Sequence, residues 1–385
     1  MDEEEKTIES YDDTSTLEQL ALNDSKKLDS FDPVAKIVVV GVGGAGNNAV
    51  NRMIEEGIQD VRFAVLNTDT QALATSRAPI RMILGDQKTH GLGAGGNPAR
   101  GKEAAEESIE KIKALVKGAD MVFIAAGMGK GTGTGASPIV AKCAKEAGAL
   151  TVAIVTRPFA FEGPVRVENA VKGLNALKDV VDSVIIVSND KLLRVASDVP
   201  VDQAFAKSDG ILAQSVKTIT ELILYPSMIN LDFADVKTTL EHSGVALIGF
   251  GMGSGPNKAE EAAENAVNSD LLEASISGAR RAICAVTCGS GVRLMEAQQC
   301  VKIISDLAGN ALDIKFSVNT NPSLGDSLLV SVIASDFKES FDFTKTPTYD
   351  DIDAFQEKAK EEEATVKESD IADAILPNFL KDKIS

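Results

Sequence analysis

The feature that most constrains this chain is a run of five glycines and two threonines at residues 127–135, GMGKGTGTG. It follows the apolar stretch 121–126, which is typical of a buried strand. Because glycine has no Cβ, successive backbone N–H groups can turn toward one anion, and a following helix adds the positive end of its dipole. Thr132 and Thr134 can add hydroxyl donors. The run therefore predicts a phosphate-binding loop, with a flexible turn as the alternative.

This loop contains a Gly-Lys pair but does not match the Walker A motif. That motif has a glycine five residues before the glycine of the pair and a Ser or Thr directly after the lysine. Ile124 and Gly131 occupy those two places. The loop is therefore predicted to hold phosphate in another way.

A second glycine-rich motif follows the first apolar run of the folded part. Residues 35–41, AKIVVVG, are typical of a strand buried on both faces of a parallel sheet. The next segment, GVGGAG at 41–46, matches G-x-G-x-x-G and leads into residues of helical character, so a dinucleotide-binding domain is one interpretation. Asp69, just after the strand at 63–66, lies near the place of the ribose-binding acid and keeps that interpretation open.

A third glycine-rich segment, GLGAGGNP, occupies residues 91–98. A nicotinamide site needs one such loop, so three of them favour a nucleotide with several phosphates. Apolar runs at 150–155 and 183–187 predict further strands, and each ends in polar residues. The carboxyl ends of such strands line the crevice in which open α/β sheets bind ligands.

The composition describes a folded body with acidic ends. The 385 residues are 44% hydrophobic, which is enough for two domains. Of the net charge of −18, residues 1–33 carry −8 and residues 336–385 carry −7, so these ends are predicted to be disordered. No segment is basic enough to bind nucleic acid, and none looks like a signal peptide or a membrane span, so we expect a cytoplasmic protein. Cys284 and Cys288 are expected in the core of a strand rather than on zinc.

A long helix is predicted at residues 202–224, where apolar residues recur near the helical period. Gly210 interrupts it and lowers the stability of the helix by about 1 kcal/mol relative to alanine. Pro226 ends it. Two carboxylates, Asp232 and Asp235, follow in an apolar loop.

The pattern changes from Gly244 onward and predicts a smaller α+β domain. Its strands are expected near residues 246–253, 282–287 and 327–333, with a helix at 258–267. The GFGMGSG segment at 249–255 resembles another phosphate loop, but we interpret it as a strand-to-helix turn.

Seven segments together resemble the FtsZ and tubulin family of self-assembling GTPases, and more narrowly its prokaryotic FtsZ branch, with an archaeal member expected. The resemblance runs from about residue 36 to residue 333. The segments are GVGGAGNN, NTDTQAL, GLGAGGNP, GMGKGTGTGASP, TRPFAFEG, SNDKL and NLDFADV, in the family's order and spacing. The resemblance implies an α/β fold, in which a Rossmann-like parallel-sheet GTPase domain is joined by a long central helix to a smaller α+β domain.

The resemblance also implies a pocket for GTP or GDP. Glu162 and Arg166 would engage the ribose and neighbouring polar groups, although a surface salt bridge is the alternative. Phe205 and Asp209 share one helix face. Phe205 would pack against the base, unless it is an ordinary core aromatic, and Asp209 would accept from the guanine N1–H and 2-amino group, a donor pair that adenine lacks. The residues that would wrap the phosphates are Gly44, Ala45, Gly46, Asn47 and Asn48, with Gly131, Thr132 and Gly133.

For hydrolysis, the resemblance implies that Asp232 and Asp235 enter the nucleotide site of the next subunit in a head-to-tail filament and polarise the attacking water. Isolated acids in a loop are otherwise usually just solvated. Mg²⁺, held mainly through the phosphates, would offset charge on the phosphoryl group, and no side chain is assigned to it as a ligand. A heterologous contact of this kind builds an open filament, so hydrolysis would depend on assembly.

The domains implied are an acidic extension (1–33), a GTP-binding domain (34–201), a central helix (202–225), a C-terminal domain (226–335) with the catalytic loop 229–236, and an acidic flexible tail (336–385). Residues 371–381 at the end of the tail resemble the peptide that docks on membrane-tethering division adaptors, with a helix folded back on the body as the alternative. The partners expected are thus other copies of the chain and an adaptor, without nucleic acid or direct membrane insertion.

Lys130 is the largest departure, because the family usually has glycine there. Its ammonium could reach phosphate or the subunit contact, or be harmless, and its Cβ would be costly if the backbone needed a positive φ. Two other functions stay open: a filament protein that binds nucleotide but hydrolyses it poorly, and a nicotinamide-dependent oxidoreductase that would use only the first glycine loop.

Overall fold

The computed structural model describes residues 35–191, 201–269, 272, 275–309, 312–337 and 343, without the side chains of residues 201–204. All of them belong to the unit that begins at Ala35. The predictions for residues 1–33 and for the peptide 371–381 lie outside the described residues. The strands are β1 (Ile37–Val42), β2 (Arg62–Asn67), β3 (Ile80–Ile83), β4 (Met121–Gly127), β5 (Leu150–Arg157), β6 (Ser183–Ser188), β7 (Gly244–Gly253), β8 (Ala279–Cys288), β9 (Asp313–Thr320) and β10 (Leu328–Phe337).

The helices alternate with the strands in the first half of the chain, which is the pattern of an α/β domain. They are α1 (Gly43–Glu55), α2 (Thr70–Ala74), α3 (Asp86–Thr89), α4 (Pro98–Glu107), α5 (Ile109–Val116), α6 (Thr132–Glu146), α7 (Pro164–Lys178), α8 (Val201–Leu224), α9 (Phe233–Leu240), α10 (Lys258–Val267) and α11 (Leu294–Ala308). No helix among the described residues is both long and apolar enough to cross a membrane.

The first six strands are parallel and stand in the order β3-β2-β1-β4-β5-β6. This is the strand order of doubly wound nucleotide-binding sheets, and the order reverses between β1 and β4. Ligands bind at such a switch point, outside the carboxyl ends of the strands. The topology therefore predicts a site above Val42 and Ala126, which are paired neighbours at those ends.

Both faces of this sheet are covered, as the apolar runs of its strands predict. Along β1, Val39 belongs to a hydrophobic cluster that includes α1, α8 and α9, whereas Val38 and Val40 belong to a cluster on the other face with α4 to α7. Because side chains alternate across a strand, a continuous apolar run serves two cores at once. The sheet is thus held from both sides and can support a site along its edge.

The second half adds an antiparallel part to the same sheet, and β7 joins the two parts. Its first residues, 244–246, pair in parallel with β6, and residues 247–253 pair antiparallel with β10. Strand β10 also pairs antiparallel with β8, and β8 pairs in parallel with the edge strand β9. Cys284 and Cys288 are buried in β8, which confirms their prediction as strand residues.

Glycines allow β7 to pack directly on α10. A Cβ built on Gly249 would lie 2.0 Å from the carbonyl oxygen of Ala266, and one on Gly251 would lie 2.1 Å from that of Ala262. No side chain fits between a strand and a helix backbone at that separation. The interpretation of the GFGMGSG segment as a strand-to-helix connection is therefore confirmed, and its glycines serve packing rather than phosphate binding.

The predicted long helix is confirmed as α8, which ends at Leu224, just before Pro226. The region after it needs correction, because Asp235 lies in the first turn of helix α9 and not in a loop. The predicted tail began at residue 336, whereas β10 continues to Phe337. In both places backbone hydrogen bonds form regular structure at residues for which the apolar pattern predicted a loop or a tail.

Candidate nucleotide-binding site

Two helix N-termini meet at the switch point of the sheet. Helix α1 starts directly after β1, and α6 starts five residues after β4. Neither start carries a side-chain cap, so the first backbone N–H groups of both helices remain available to a ligand. Such N-termini attract anions through these N–H groups and through the helix dipole. The geometry therefore fits the phosphate site predicted from the glycine-rich loops.

The glycines at these helix starts are needed because the two loops touch. Gly43 has a φ of +72°, and a Cβ there would lie 2.8 Å from the backbone nitrogen of Gly133. A Cβ on Gly44, by contrast, would meet nothing within 4 Å, because this residue faces open space. A ligand can consequently approach the backbone of α1 closely at Gly44.

A cavity of about 410 Å³ opens above these helix starts, which is within the usual range for small-ligand sites. Nine of the twelve residues predicted to bind nucleotide line it. They are Gly44, Ala45 and Asn48 on α1, Gly131, Thr132 and Gly133 at the start of α6, and Glu162, Phe205 and Asp209 farther along the chain.

The other three predicted residues do not line the cavity. A Cβ on Gly46 would lie 2.2 Å from the carbonyl oxygen of Ala125, so Gly46 packs against β4. Arg166 pairs with Glu162 through an ion pair. Asn47 is buried, and neither polar atom of its amide has a hydrogen-bond partner among the described residues. A buried unpaired amide is rare in native proteins and is usually explained by a water or a ligand.

One aromatic ring, that of Phe205, lines the cavity. Phe205 on α8 is 40% exposed and meets Phe159 edge to face, with ring centroids 5.2 Å apart. Phe159 also stacks on Phe161 at 4.9 Å. Phe205 is therefore not an enclosed core residue, and its free face can take a planar ring.

Asp209 lies one helical turn from Phe205 and also faces the cavity. Burial raises the pKa of its carboxyl to about 7, and the positive charge of Arg52 on α1 opposes that rise. A carboxylate so poorly hydrated gains from donors that a ligand brings. This position is suited to a ligand with two adjacent N–H groups.

Glu162 connects the cavity to the start of α7. Its carboxylate accepts from the backbone N–H of Phe159 at 3.2 Å and pairs with Arg166. The salt bridge that was the alternative for this pair is therefore present, and Glu162 also lines the cavity. The two interpretations of this pair are compatible.

Several lining residues were not assigned a role from the sequence. Thr68 shares a 2.7 Å hydrogen bond with Thr132, and Ser208 donates to Asn189 at 2.7 Å. Thr156 lies on β5 at the same edge. Thr68, Thr156 and Asn189 come at or just after the carboxyl end of a strand, and that position was the signal that could have identified them.

Asp69 is the residue that the sequence allows as the ribose-binding acid of a nicotinamide-dinucleotide site. It lines the cavity, but its carboxylate accepts from the backbone N–H groups of Gln71 at 2.9 Å and Ala72 at 3.3 Å. It therefore caps helix α2. Part of its hydrogen-bonding capacity is used within the protein.

Asp232 and Asp235 do not line the cavity. They cap α9 reciprocally: Asp232 accepts from the N–H of Asp235 at 2.8 Å, and Asp235 accepts from the N–H of Asp232 at 3.3 Å. Partial burial would raise the pKa of Asp235, but hydrogen bonds from the Asp232 backbone and from Lys315, with the lysine's charge, outweigh burial and lower it. The Lys315 Nζ lies 3.1 Å from Asp235 Oδ1.

These two acids lie beyond the C-terminal end of α8, whereas Asp209 lies in its N-terminal half. Fifteen residues of helix separate Asp209 from Leu224, which is about 22 Å along the axis. Within one subunit these acids are therefore not part of the cavity lining, and they follow the end of α8 that is farther from Asp209.

Comparisons with known proteins agree with this arrangement. The sequence model described as "Tubulin/FtsZ family, GTPase domain" matches residues 36–197, and the model "FtsZ family, C-terminal domain" matches residues 244–338. The "Cell division protein FtsZ" of Mycoplasmopsis pulmonis (strain UAB CTIP) is 51% identical over 316 residues, which cover 82% of this chain and 81% of that protein.

Solved structures match as well. The structure titled "FtsZ dimer, empty (M. jannaschii)" superposes with a TM-score of 0.78 at 40% identity, covering 84% of this chain and 94% of that one. CetZ1 from Haloferax volcanii, bound to GDP, superposes with a TM-score of 0.69 at 20% identity, covering 85% of this chain and 99% of that one, and supports the fold alone. The α/β fold with its parallel-sheet GTPase domain is thereby confirmed, and the oxidoreductase interpretation is set aside. The chain belongs to the Tubulin/FtsZ family of GTPases, and within it to the FtsZ proteins.

Proposed function

We propose that this protein is a cytoplasmic cell-division GTPase that assembles head to tail into filaments at the division site and hydrolyses GTP at the contacts between subunits. One observation carries the proposal. The cavity and the acids Asp232 and Asp235 lie at opposite ends of α8, so a complete site needs the cavity of one subunit and the α9 start of the next. The FtsZ relative from M. jannaschii was solved as a dimer, which supports association between copies.

The residues of the cavity fit a guanine nucleotide. The uncapped N-termini of α1 and α6 supply N–H donors for phosphates, and the unpaired amide of Asn47 lies in the first turns of α1. Phe205 offers a ring face to the base. Asp209 would accept from the N1–H and 2-amino group of guanine, and adenine has no such donor pair. Glu162, held by Arg166, lies where a ribose hydroxyl could donate to it.

For hydrolysis, Asp232 and Asp235 would orient a water molecule toward the nucleotide of the adjacent subunit. The lowered pKa of Asp235 keeps its carboxylate ionised at neutral pH, as a water-orienting acceptor must be. When bound, Mg²⁺ would be held mainly through the phosphates and would offset their charge. The backbone N–H groups at the two helix starts would add to that stabilisation.

The decisive experiment measures GTP turnover per subunit against protein concentration. We expect turnover to be nearly absent below the assembly threshold and to rise with the assembled fraction. The variant Asp235→Asn should bind GTP and assemble but lose most of its turnover, about a hundredfold or more for a lost water-orienting group. Asparagine can still accept the N–H of Asp232, so this variant preserves the half of the reciprocal cap that Asp235→Ala would remove.

Lys315→Met serves as the matched control, because it removes the partner of Asp235 and leaves the carboxylate in place. It should keep turnover within a few-fold of the original protein. Turnover per subunit that stays constant on dilution would rule out a site shared between subunits.

The remaining parts of the proposal rest on the resemblance of the sequence. They are the division into an extension (1–33), a GTP-binding domain (34–201), a central helix (202–225), a C-terminal domain (226 to the end of β10) and a tail, and the docking of residues 371–381 on a membrane-tethering adaptor. An archaeal source also stays a prediction.

A further inference from the structure

The side chains around the cavity supply little positive charge to offset a ligand with several phosphates. Among the residues that line it, Asp69, Glu162 and Asp209 are acidic and only Lys130 is basic. Backbone N–H groups can hold phosphate oxygens, but they carry only partial charges. Lys130 therefore supplies the one full positive side-chain charge in the lining of the cavity.

Each of the acidic residues has its negative charge offset or reduced within the protein. Glu162 is paired with Arg166, Asp69 caps α2, and burial of Asp209 favours its neutral form. Lys130 differs from them. Its side chain is exposed, and the described part of the chain offers it no hydrogen bond or ion pair. It is the basic residue of the lining, and a ligand could supply its partner.

The backbone admits this side chain without strain. The described residues other than glycine that have a positive φ are Asp60, His90, His242 and Asp336, so Lys130 is not among them. The preceding Gly129 takes the unusual conformation instead, with a φ of +102°, and its N–H donates to Thr134 Oγ1 at 2.9 Å. The glycine before Lys130 therefore takes the positive φ that this turn requires.

Lys130 also lies beside the phosphate-binding end of the cavity. It directly precedes Gly131, the residue before the first turn of α6, and Gly133 of that turn approaches Gly43 at the start of α1. A lysine has a flexible four-carbon stem and a compact charge, so its ammonium can follow a phosphate group over several ångströms. Phe205 and Asp209 are on a different element, α8.

We propose that the Lys130 ammonium binds the terminal phosphates of the bound nucleotide and makes affinity increase with the number of phosphates. This inference rests on the proposed function, because it assumes that the cavity takes a guanine nucleotide. It adds a phosphate-binding residue at a position where the family usually has glycine. Lys130→Gln should therefore lose affinity for GTP and GDP more than for GMP.

The test is direct titration of GTP, GDP and GMP at protein concentrations below the assembly threshold. For Lys130→Gln we expect about tenfold weaker binding of GTP, a smaller loss for GDP and almost no change for GMP. Lys130→Arg should retain most of the affinity. The loss should shrink in high salt, because a charge contact at an exposed position is screened.

Lys102→Gln is the matched control. It makes the same change of charge on α4, at a lysine that does not line the cavity, and should leave all three affinities unchanged. Equal GTP affinity in the original protein and in Lys130→Gln would overturn the inference. Unchanged affinity together with lost assembly would instead assign Lys130 to the contact between subunits. If the original protein binds no guanine nucleotide, it is the proposed function that fails.

Discussion

In the proposed site, a single carboxylate, Asp209, would link the packing of the protein to its choice of ligand. It lies on α8 and lines the cavity. Burial raises the pKa of its carboxyl to about 7. An acid in this state is about half ionised at neutral pH. Its ionised form is the one that can accept two hydrogen bonds from guanine, so a ligand and a proton compete for the same group.

This competition predicts a pH dependence of nucleotide binding. With a pKa of about 7, Asp209 is mostly ionised at pH 8 and mostly protonated at pH 6, so the affinity for GDP should fall about tenfold between these values. GDP is the suitable probe because it is not hydrolysed. Isothermal titration calorimetry at several pH values measures the affinity for GDP.

Asp209→Asn is the control for this prediction. It should bind GDP more weakly at pH 8 and show little further loss at pH 6, because the titrating group is gone. Any slope that remains in the variant belongs to the phosphates or to Asp190, whose pKa burial also raises. The same slope in both proteins would show that Asp209 does not carry the effect.

At the scale of the elements, strand β7 shows how the second half of the molecule is attached. Its glycines let the backbone of α10 approach the strand at a separation that leaves no room for side chains. The same strand pairs with β6 at one end and with β10 at the other. A change in this packing therefore affects the connection between the two parts of the sheet.

Gly251→Ala tests that packing. A Cβ there would lie 2.1 Å from the Ala262 carbonyl oxygen and 2.3 Å from the Ala266 nitrogen, and backbone atoms of a helix cannot move aside easily. We expect the free energy of unfolding to fall by about 3 kcal/mol, measured by urea denaturation. Gly255→Ala has open space around the new Cβ and a φ of +73°, so it should cost only about 1 kcal/mol.

The sequence predicted the elements that are strongly apolar and missed those whose stability comes from partners elsewhere. The buried runs of β1, β4, β5 and β6 were recognisable because both faces of these strands are covered. Strand β9 was missed, since only two of its eight residues are buried and it lies at an edge. Helix α11 was missed although Ala297, Cys300, Ile304 and Ala308 repeat at helical spacing.

The candidate site divides in a similar way. Its glycine-rich loops could be found because backbone geometry at a helix start restricts the residue type. Side chains contributed by single positions, such as Thr156 and Asn189, leave only their place at the carboxyl end of a strand as a signal. The sequence singled out Asp232 and Asp235 as catalytic, which stays a prediction, but it did not predict their capping of α9, even though their three-residue spacing is the signature of a capping box.

At the scale of the whole molecule, the chain connects its two parts more than once. Helix α8 and strand β7 pass from the first part to the second. After β10, the chain is described again at Phe343, which is buried among residues of the first part. Its carbonyl accepts from Arg157 Nη2 at 3.3 Å, and Lys178 Nζ lies 5.7 Å from the centre of its ring. The chain therefore returns to the GTPase domain after completing the second part.

Phe343→Ala should destabilise the protein by about 3 kcal/mol, because it removes a buried aromatic ring. Thermal unfolding measures the effect. Phe316→Ala on β9 is a size-matched control at a side chain that is 37% exposed, and it should cost less. Equal losses in the two variants would mean that Phe343 does not anchor the chain to the GTPase domain.

The anchor at Phe343 also decides where tension would enter the molecule. A pull on Phe343 would act on its hydrogen-bond partner Arg157 at the end of β5. The neighbouring Thr156 and Pro158 line the nucleotide cavity. Traction applied at Phe343 would thus act beside the nucleotide cavity, before it reached the strands of the second part.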